Sequence, residues 1–277
     1  MRLGGPVFNV DNTDPELWAQ AHRALGYRAA YGPLDPKADD RTVAAWSAAA
    51  KAHDLLIAEV GAWSNPIGPD PVQARAAVAK CQEMLALAER LGARCCVNIV
   101  GSRGAQWDGP HPENLSEATF DLTVQVVRQI IDAVKPTRTC YALETMPWVF
   151  PDSPENYLRL LRAIDRKACG VHLDPVNMVN CPSRYYQTGD FLRACFAQLG
   201  PHIRSCHAKD ITLSGKLTLH LDECRAGLGA LDYRAFLTEL AKLDADTPLM
   251  LEHLPEPEYA PAAAHIRGVA KQLGVSL

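Results

Sequence analysis

Eight times along the chain a short, β-rich apolar run gives way to a longer segment of helical period, with Gly or Pro marking the change. The runs are PVFNV (6–10), YRAAYG (27–32), DLLIAEVGA (54–62), CCVNIVG (95–101), TCYALETM (139–146), CGVHLDP (169–175), IRSCHAKD (203–210) and TPLMLEHL (247–254). The segments between them predict helices over 14–24, 39–52, 70–91, 115–135, 154–165, 188–199, 232–243 and 257–273. Most of these helices open on Asp, Ser or Pro, the residues that cap a helix start or need no amide partner there. Eight strand–helix pairs of this size predict an α/β fold closed into a (β/α)8 barrel. The competing arrangement is an open, doubly wound sheet, but the first run leads into NVDNTDPE and lacks the Gly-rich phosphate turn of a dinucleotide fold.

With 277 residues, 48% of them hydrophobic, the chain can fill one large core, and a single domain over 1–277 is expected. The stretches at 102–114 and 211–230 are expected to be irregular; they follow the fourth and seventh strands and so belong to the C-terminal mouth, where barrel active sites form. A formal net charge of −4 and the absence of Lys/Arg clusters remove the electrostatic footprint of a nucleic-acid partner. No apolar run of signal-peptide or membrane-spanning length occurs, so a cytoplasmic protein without a membrane partner is expected. Nine cysteines without C-x-x-C spacing read as buried thiols in a reducing compartment rather than a disulfide or zinc framework.

A carboxylate at the end of a buried strand costs several kcal/mol, about the penalty of an uncompensated charge, unless a proton or cation offsets it. Glu144 is such a residue, inside YALETMPWVF. Lining up the last four strands at their C-terminal ends places Glu144, Asp174, His207 and Glu252 on one rim. Taken singly, each has an ordinary reading as a helix cap, a salt-bridge partner or a structural histidine. Taken together, three carboxylates and one imidazole are an oxygen-rich set suited to one divalent ion, Mn²⁺ first, with Mg²⁺ or Co²⁺ as alternatives. Water or two substrate oxygens would complete six-coordination.

In ALETMP, GVHLDPVNM, CHAKDI with the later GLGALDY, and LMLEH, the chain resembles the xylose-isomerase-like TIM barrels. That sugar phosphate isomerase/epimerase group includes ketose 3-epimerases, inosose dehydratases and keto-glycoside-processing enzymes. The resemblance covers the C-terminal half by motif and the N-terminal half by its strand–helix rhythm. It implies that Glu144 and Glu252 bind metal and also exchange protons with the substrate carbon, while Asp174 and His207 serve as ligands. A metal-stabilised enediolate then lowers the barrier to α-proton removal, with one carboxylate on each face. It also implies a homo-dimer or homo-tetramer. Where ketohexose 3-epimerases carry His and Arg, this chain has Asn177 and Leu213, which argues against a plain free-ketohexose 3-epimerase.

Further substrate-binding candidates are Lys209, which alternation places on the face of His207, Asn177, Arg225 in the loop after the seventh strand, Trp63, Asn98 and His172. His172 shares the face of Asp174 one layer deeper, where a structural role is the simpler reading. Trp63, and with less weight Trp107 and Trp148, offer rings for stacking on a sugar, though each also reads as ordinary packing. Asp210 should cap its loop or pair with a neighbouring base, and His253 should point outward to the helices. Glu59 stands in the third strand with no role assigned.

The residues therefore point to an isomerase or epimerase acting on a keto-sugar or related polyol ketone. A metal-dependent lyase or dehydratase on a keto-sugar, inosose or 3-keto-glycoside shares its first step. A phosphodiester hydrolase of the AP-endonuclease kind would need more histidine ligands and a surface suited to DNA.

Overall fold

The computed structural model describes residues 1–11 and 13–277. Eight parallel strands close into a barrel: β1 (Arg2–Gly4), β2 (Ala29–Tyr31), β3 (Leu56–Gly61), β4 (Cys95–Asn98), β5 (Tyr141–Glu144), β6 (Cys169–Leu173), β7 (Ile203–Ala208) and, last in the chain, β10 (Pro248–Leu251). Each pairs with its sequence neighbours, and β10 closes the ring on β1, with Leu3 opposite Leu249 and Gly4 opposite Met250. A Cβ at Gly4 would collide with the Ala29 carbonyl and the Met250 thioether, so the β1–β2 seam needs glycine there.

The first strand is not the expected run at 6–10. Pro6 has no amide hydrogen for a barrel ladder, and Asn9 adopts a left-handed φ of 56°, so the pairing falls to Arg2–Gly4, where Leu3 is buried. The expected irregular stretch at 211–230 is corrected too: β8 (Asp210–Ser214) and β9 (His220–Cys224) form an antiparallel hairpin over the barrel mouth.

The main helices are α1 (Pro15–Ala24), α2 (Asp40–Ala52), α3 (Pro71–Leu91), α4 (Glu117–Val134), α5 (Pro154–Ile164), α8 (Thr188–Leu199), α9 (Tyr233–Leu240) and α10 (Glu256–Leu273). Two short helices, α6 (Pro175–Met178) and α7 (Pro182–Tyr186), follow β6. Asp14, Asp39, Asp70, Ser116, Ser153 and Asp232 each accept a first-turn amide, contributing about 1 kcal/mol apiece. Leu85, Leu160, Leu199, Phe236 and Ile266 are buried with Leu143, Val171 and Leu249 in one apolar layer between helices and barrel. Burying each such side chain stabilises the fold by about 1.5–3 kcal/mol. All nine cysteines are free thiols, and Cys181 and Cys224 are only partly buried. Among the described residues, no helix is long and apolar enough to cross a membrane.

Candidate metal centre

Leu173 pairs with Cys206 and Leu251 with Ala208, and this register brings the ends of β6, β7 and β10 level with one another. Glu144 closes β5, Asp174 follows β6, His207 lies near the end of β7, and Glu252 follows β10. Their ligand atoms all lie within 4.8 Å of one another. His207 Nδ1 is the common point, 3.1 Å from Glu144 Oε1, 3.6 Å from Asp174 Oδ2 and 2.8 Å from Glu252 Oε1.

Local structure aims these groups. Asp174 caps α6 through Oδ1, which accepts the Val176 and Asn177 amides and leaves Oδ2 turned to the cluster. The ordinary cap reading and the ligand reading thus use different oxygens of one carboxylate. Thr145 staples β5 to β6, donating from Oγ1 to the Asp174 carbonyl at 2.6 Å and accepting the Asp174 amide. Asn177 Nδ2 donates to Glu144 Oε1 at 3.2 Å and to the Thr145 carbonyl at 3.0 Å, so it holds Glu144 toward Asp174.

The charge balance fits a divalent cation. Glu59, Glu144, Asp174 and Glu252 crowd a space in which, among the described residues, Lys209 is the one permanently charged cation. Asp174 Oδ2 and Glu252 Oε1 are buried and accept no hydrogen bond of good geometry, although nitrogen atoms stand close to both. Burial alone would lower the pKa of His207, but Glu252, Glu59 and Glu144 outweigh it and hold the imidazole well above its ordinary range. Burial would raise Glu252; His207 and Lys209 reverse that and bring it down to about 2. Carboxylates that hold a proton this firmly on an imidazole form a field suited to a dication at the same point.

Beneath the cluster, Glu59 of β3 is fully buried. Its Oε2 lies 3.3 Å from His207 Nε2 and its Oε1 lies 2.9 Å from His172 Nε2, while Ser205 Oγ donates to Oε1 as well. Burial would raise the Glu59 carboxyl, but His172 and His207 hold it well below the ordinary carboxylate range.

Of the substrate candidates, Lys209 and Asn177 are at the cluster. Lys209 Nζ lies 2.8 Å from Asp174 Oδ2 and 3.4 Å from Glu223 Oε2. Three others are engaged elsewhere. Asn98 is buried among Ser64, Cys81 and the Tyr141 hydroxyl, which engage its amide on the helix side of β4. His172 has no exposed surface and spends Nε2 on Glu59. Arg225 ion-pairs with Glu258 at 2.6 Å and donates to the Ala226 carbonyl, the bonds of a residue holding its loop to α10. Trp63, Trp107 and Trp148 are each 39% exposed, which leaves ring surface free, and Trp148 Nε1 ties its loop to the Asp108 carbonyl. Asp210 does cap its loop, accepting the Ile211, Gly227 and Leu231 amides.

His253 does not turn to the helices. A left-handed φ of 55° leaves it at the mouth, with Nδ1 3.5 Å from Glu223 Oε2 and 3.6 Å from Glu252 Oε1. Glu223, on the hairpin, has no sequence signal of its own. Glu59 has one, because it is a lone carboxylate inside LIAEVG, the same pattern that singles out Glu144.

The chain is thus an eight-stranded parallel barrel that carries an acid-rich, one-histidine cluster, a candidate metal site, at its C-terminal rim. The family model described as xylose isomerase-like TIM barrel matches residues 19–269, and the chain belongs to that family. No curated protein matches it by sequence. Among solved structures it is similar to a D-psicose 3-epimerase with D-tagatose from Clostridium cellulolyticum H10, with a TM-score of 0.70 at 14% identity and coverage of 100% of both chains. It is also similar to the probable 3-DHS dehydratase AsbF, involved in petrobactin synthesis, from Bacillus anthracis (TM-score 0.68, 17% identity, 91% of this chain and 92% of that one). A third is a xylose isomerase-like TIM barrel protein from Mycobacterium smegmatis in complex with magnesium (TM-score 0.67, 16% identity, 94% and 89%). At these identities the likeness is one of fold.

Proposed function

We propose that this chain is a divalent-metal-dependent isomerase or epimerase that moves a proton next to the carbonyl of a keto-sugar or related polyol ketone. Glu144, Asp174, His207 and Glu252 would hold the ion, Mn²⁺ first, with Mg²⁺ or Co²⁺ able to take the same oxygen-rich set. When bound, the ion supplies Lewis-acid polarisation of the carbonyl and neighbouring hydroxyl oxygens, which favours the enediolate.

The observation that carries the reading is the contrast in exposure within the cluster. The Asp174 and His207 side chains have no exposed surface, whereas Glu144 keeps 6% and Glu252 keeps 11%. The first two, enclosed, would serve as ligands; the two glutamates would also face the side from which a substrate arrives. They stand at the ends of β5 and β10, with β6 and β7 between them, and so flank Asp174 and His207 on either side. One can remove a proton from one face of a carbon while the other returns it to the opposite face. Asn177 fixes the Glu144 carboxylate, and Trp63 offers a ring at the rim for the sugar. The epimerase and dehydratase among the similar folds agree with this chemistry.

A lyase or dehydratase reading shares the proton removal and is favoured by one feature, Lys209. Its ammonium is nearly buried beside Glu252 and Asp174, where it could protonate a departing hydroxyl.

An NMR assay in D₂O separates these readings. Metal-reconstituted enzyme is offered ketohexoses, inososes and 3-keto-glycosides, with EDTA-treated enzyme as control. Metal-dependent deuterium uptake with a new stereoisomer is expected; an unsaturated product or a released aglycone would make the enzyme a lyase. Absence of exchange with every substrate would contradict the enolate chemistry.

A further inference from the structure

We infer that Glu59 is a positioning residue for the metal centre: locked by His172 and Ser205, it sets the His207 imidazole with the proton on Nε2 and the lone pair of Nδ1 toward the ion. The inference rests on the metal reading above.

An ionised carboxylate can only accept hydrogen bonds. His207 Nε2, 3.3 Å from Glu59 Oε2, must therefore carry a hydrogen to be paired, and a neutral His207 then has its lone pair on Nδ1, the nitrogen that faces Glu144, Asp174 and Glu252. The same rule applies to His172, whose Nε2 lies 2.9 Å from Glu59 Oε1 and must be its donor. A neutral His172 then has a bare Nδ1, and that atom is indeed buried without a hydrogen-bond partner. Ser205 Oγ has Glu59 Oε1 as its acceptor. One carboxylate thus dictates the tautomer of two imidazoles.

The barrel bends to make this contact. The β2–β3 register shifts after Ala30 and Ile57 so that Tyr31 meets Glu59 and Ala58 is passed over. The β6–β7 register shifts so that Val171 meets Ile203 but His172 meets Ser205, passing over Arg204. Such irregularities re-aim side chains next to functional sites, and here both fall on members of one network. The edge-on packing of the His172 and His207 rings, with centroids 4.1 Å apart, fixes the remaining rotation.

The test is Glu59→Gln, which keeps the shape and removes the charge. Titration with Mn²⁺, reading free ion by EPR, is expected to show one ion per wild-type chain and affinity about 10–100-fold weaker in the variant. Histidine-selective ¹⁵N NMR of the Mg²⁺-loaded wild type, with His207 assigned through His207→Ala, is expected to show a protonated Nε2 and an unprotonated Nδ1, and this pattern should be lost in Glu59→Gln. Ser205→Ala, which removes one of the bonds holding Glu59, should weaken Mn²⁺ severalfold and serves if the first variant does not fold. A folded Glu59→Gln with wild-type affinity and an unchanged ¹⁵N pattern would overturn the positioning role while leaving the metal centre intact. Two ions per wild-type chain would overturn it as well, by making Glu59, His172 and His207 ligands of a second ion. A wild type that binds no Mn²⁺ would instead remove the metal reading itself.

Discussion

Lys209 places its ammonium 2.6 Å from Glu252 Oε1, nearly out of solvent, on the very oxygen that also lies closest to His207 Nδ1. With Asp174 Oδ2 at 2.8 Å, Lys209 answers part of the negative charge that four carboxylates concentrate in the barrel. Breaking a buried pair by removing one partner typically costs about 3–5 kcal/mol, because the other charge is left uncompensated. Lys209→Met should therefore destabilise the metal-free protein by about that amount, and saturating Mn²⁺ should restore most of the loss. Urea unfolding in EDTA and in Mn²⁺ checks this; equal midpoints for wild type and variant in EDTA would deny Lys209 its balancing role.

Glu144→Gln and Glu252→Gln should each remove nearly all turnover while leaving the barrel folded, since an amide can neither take nor return the proton. Steady-state rates with circular dichroism on the same samples decide the matter. Normal turnover by either variant would end the two-base assignment.

Asn177 reaches Glu144 Oε1 at 3.2 Å, and its own amide is capped by Asp174. Asn177→Ala should lower turnover about tenfold, within the range for groups that orient a site carboxylate, with little change in bound metal. Metal content and rate measured together would show it; an unchanged rate would mean that Glu144 needs no such support.

The approach to Glu144 also has an acid-sensitive brace. Glu89 at the end of α3 accepts the Thr137 hydroxyl at 2.7 Å and the Arg138 and Thr139 amides, fixing the chain just before β5. Burial opposes its ionisation, but these hydrogen bonds win and lower its pKa from 4.5 to about 2. A lowered carboxyl adds stability that is fully present above its unfolded value and is lost as the pH falls through the folded one. Thermal midpoints should therefore fall between about pH 4.5 and 2, and Glu89→Gln should be less stable at neutral pH with a flatter acid limb. Parallel acid limbs in the two proteins would contradict this.

The barrel was legible because its signal is local: most strands are short apolar runs and most helices announce their own start. The cluster was legible for a related reason, since a barrel converts strand ends into one rim, so Glu144, Asp174, His207 and Glu252 could be aligned without knowing any contact. The first strand was not, because Leu3 sits in a run shorter than the more apolar PVFNV, which Pro6 and Asn9 disqualify. The hairpin was hidden because β9, HLDEC, is largely exposed and carries no apolar alternation. The reasoning applied to Glu144 does not place Asn98, since a polar residue in a buried strand can face the helices, here the Cys81 thiol of α3. Glu59 showed itself as a lone acid, but its partners are His172 and Ser205, 113 and 146 residues away, brought together by two register shifts that no periodicity reveals.

If the ends of β5, β6, β7 and β10 together hold one divalent ion, the Mn²⁺ content of wild type, Asp174→Asn and His207→Ala after reconstitution and desalting, by elemental analysis, reads it out. One ion per wild-type chain, with most of it lost from both variants while their far-UV spectra stay native, is the expected result. Wild-type metal content in folded His207→Ala and Asp174→Asn would mean that the ion, if bound, is held elsewhere.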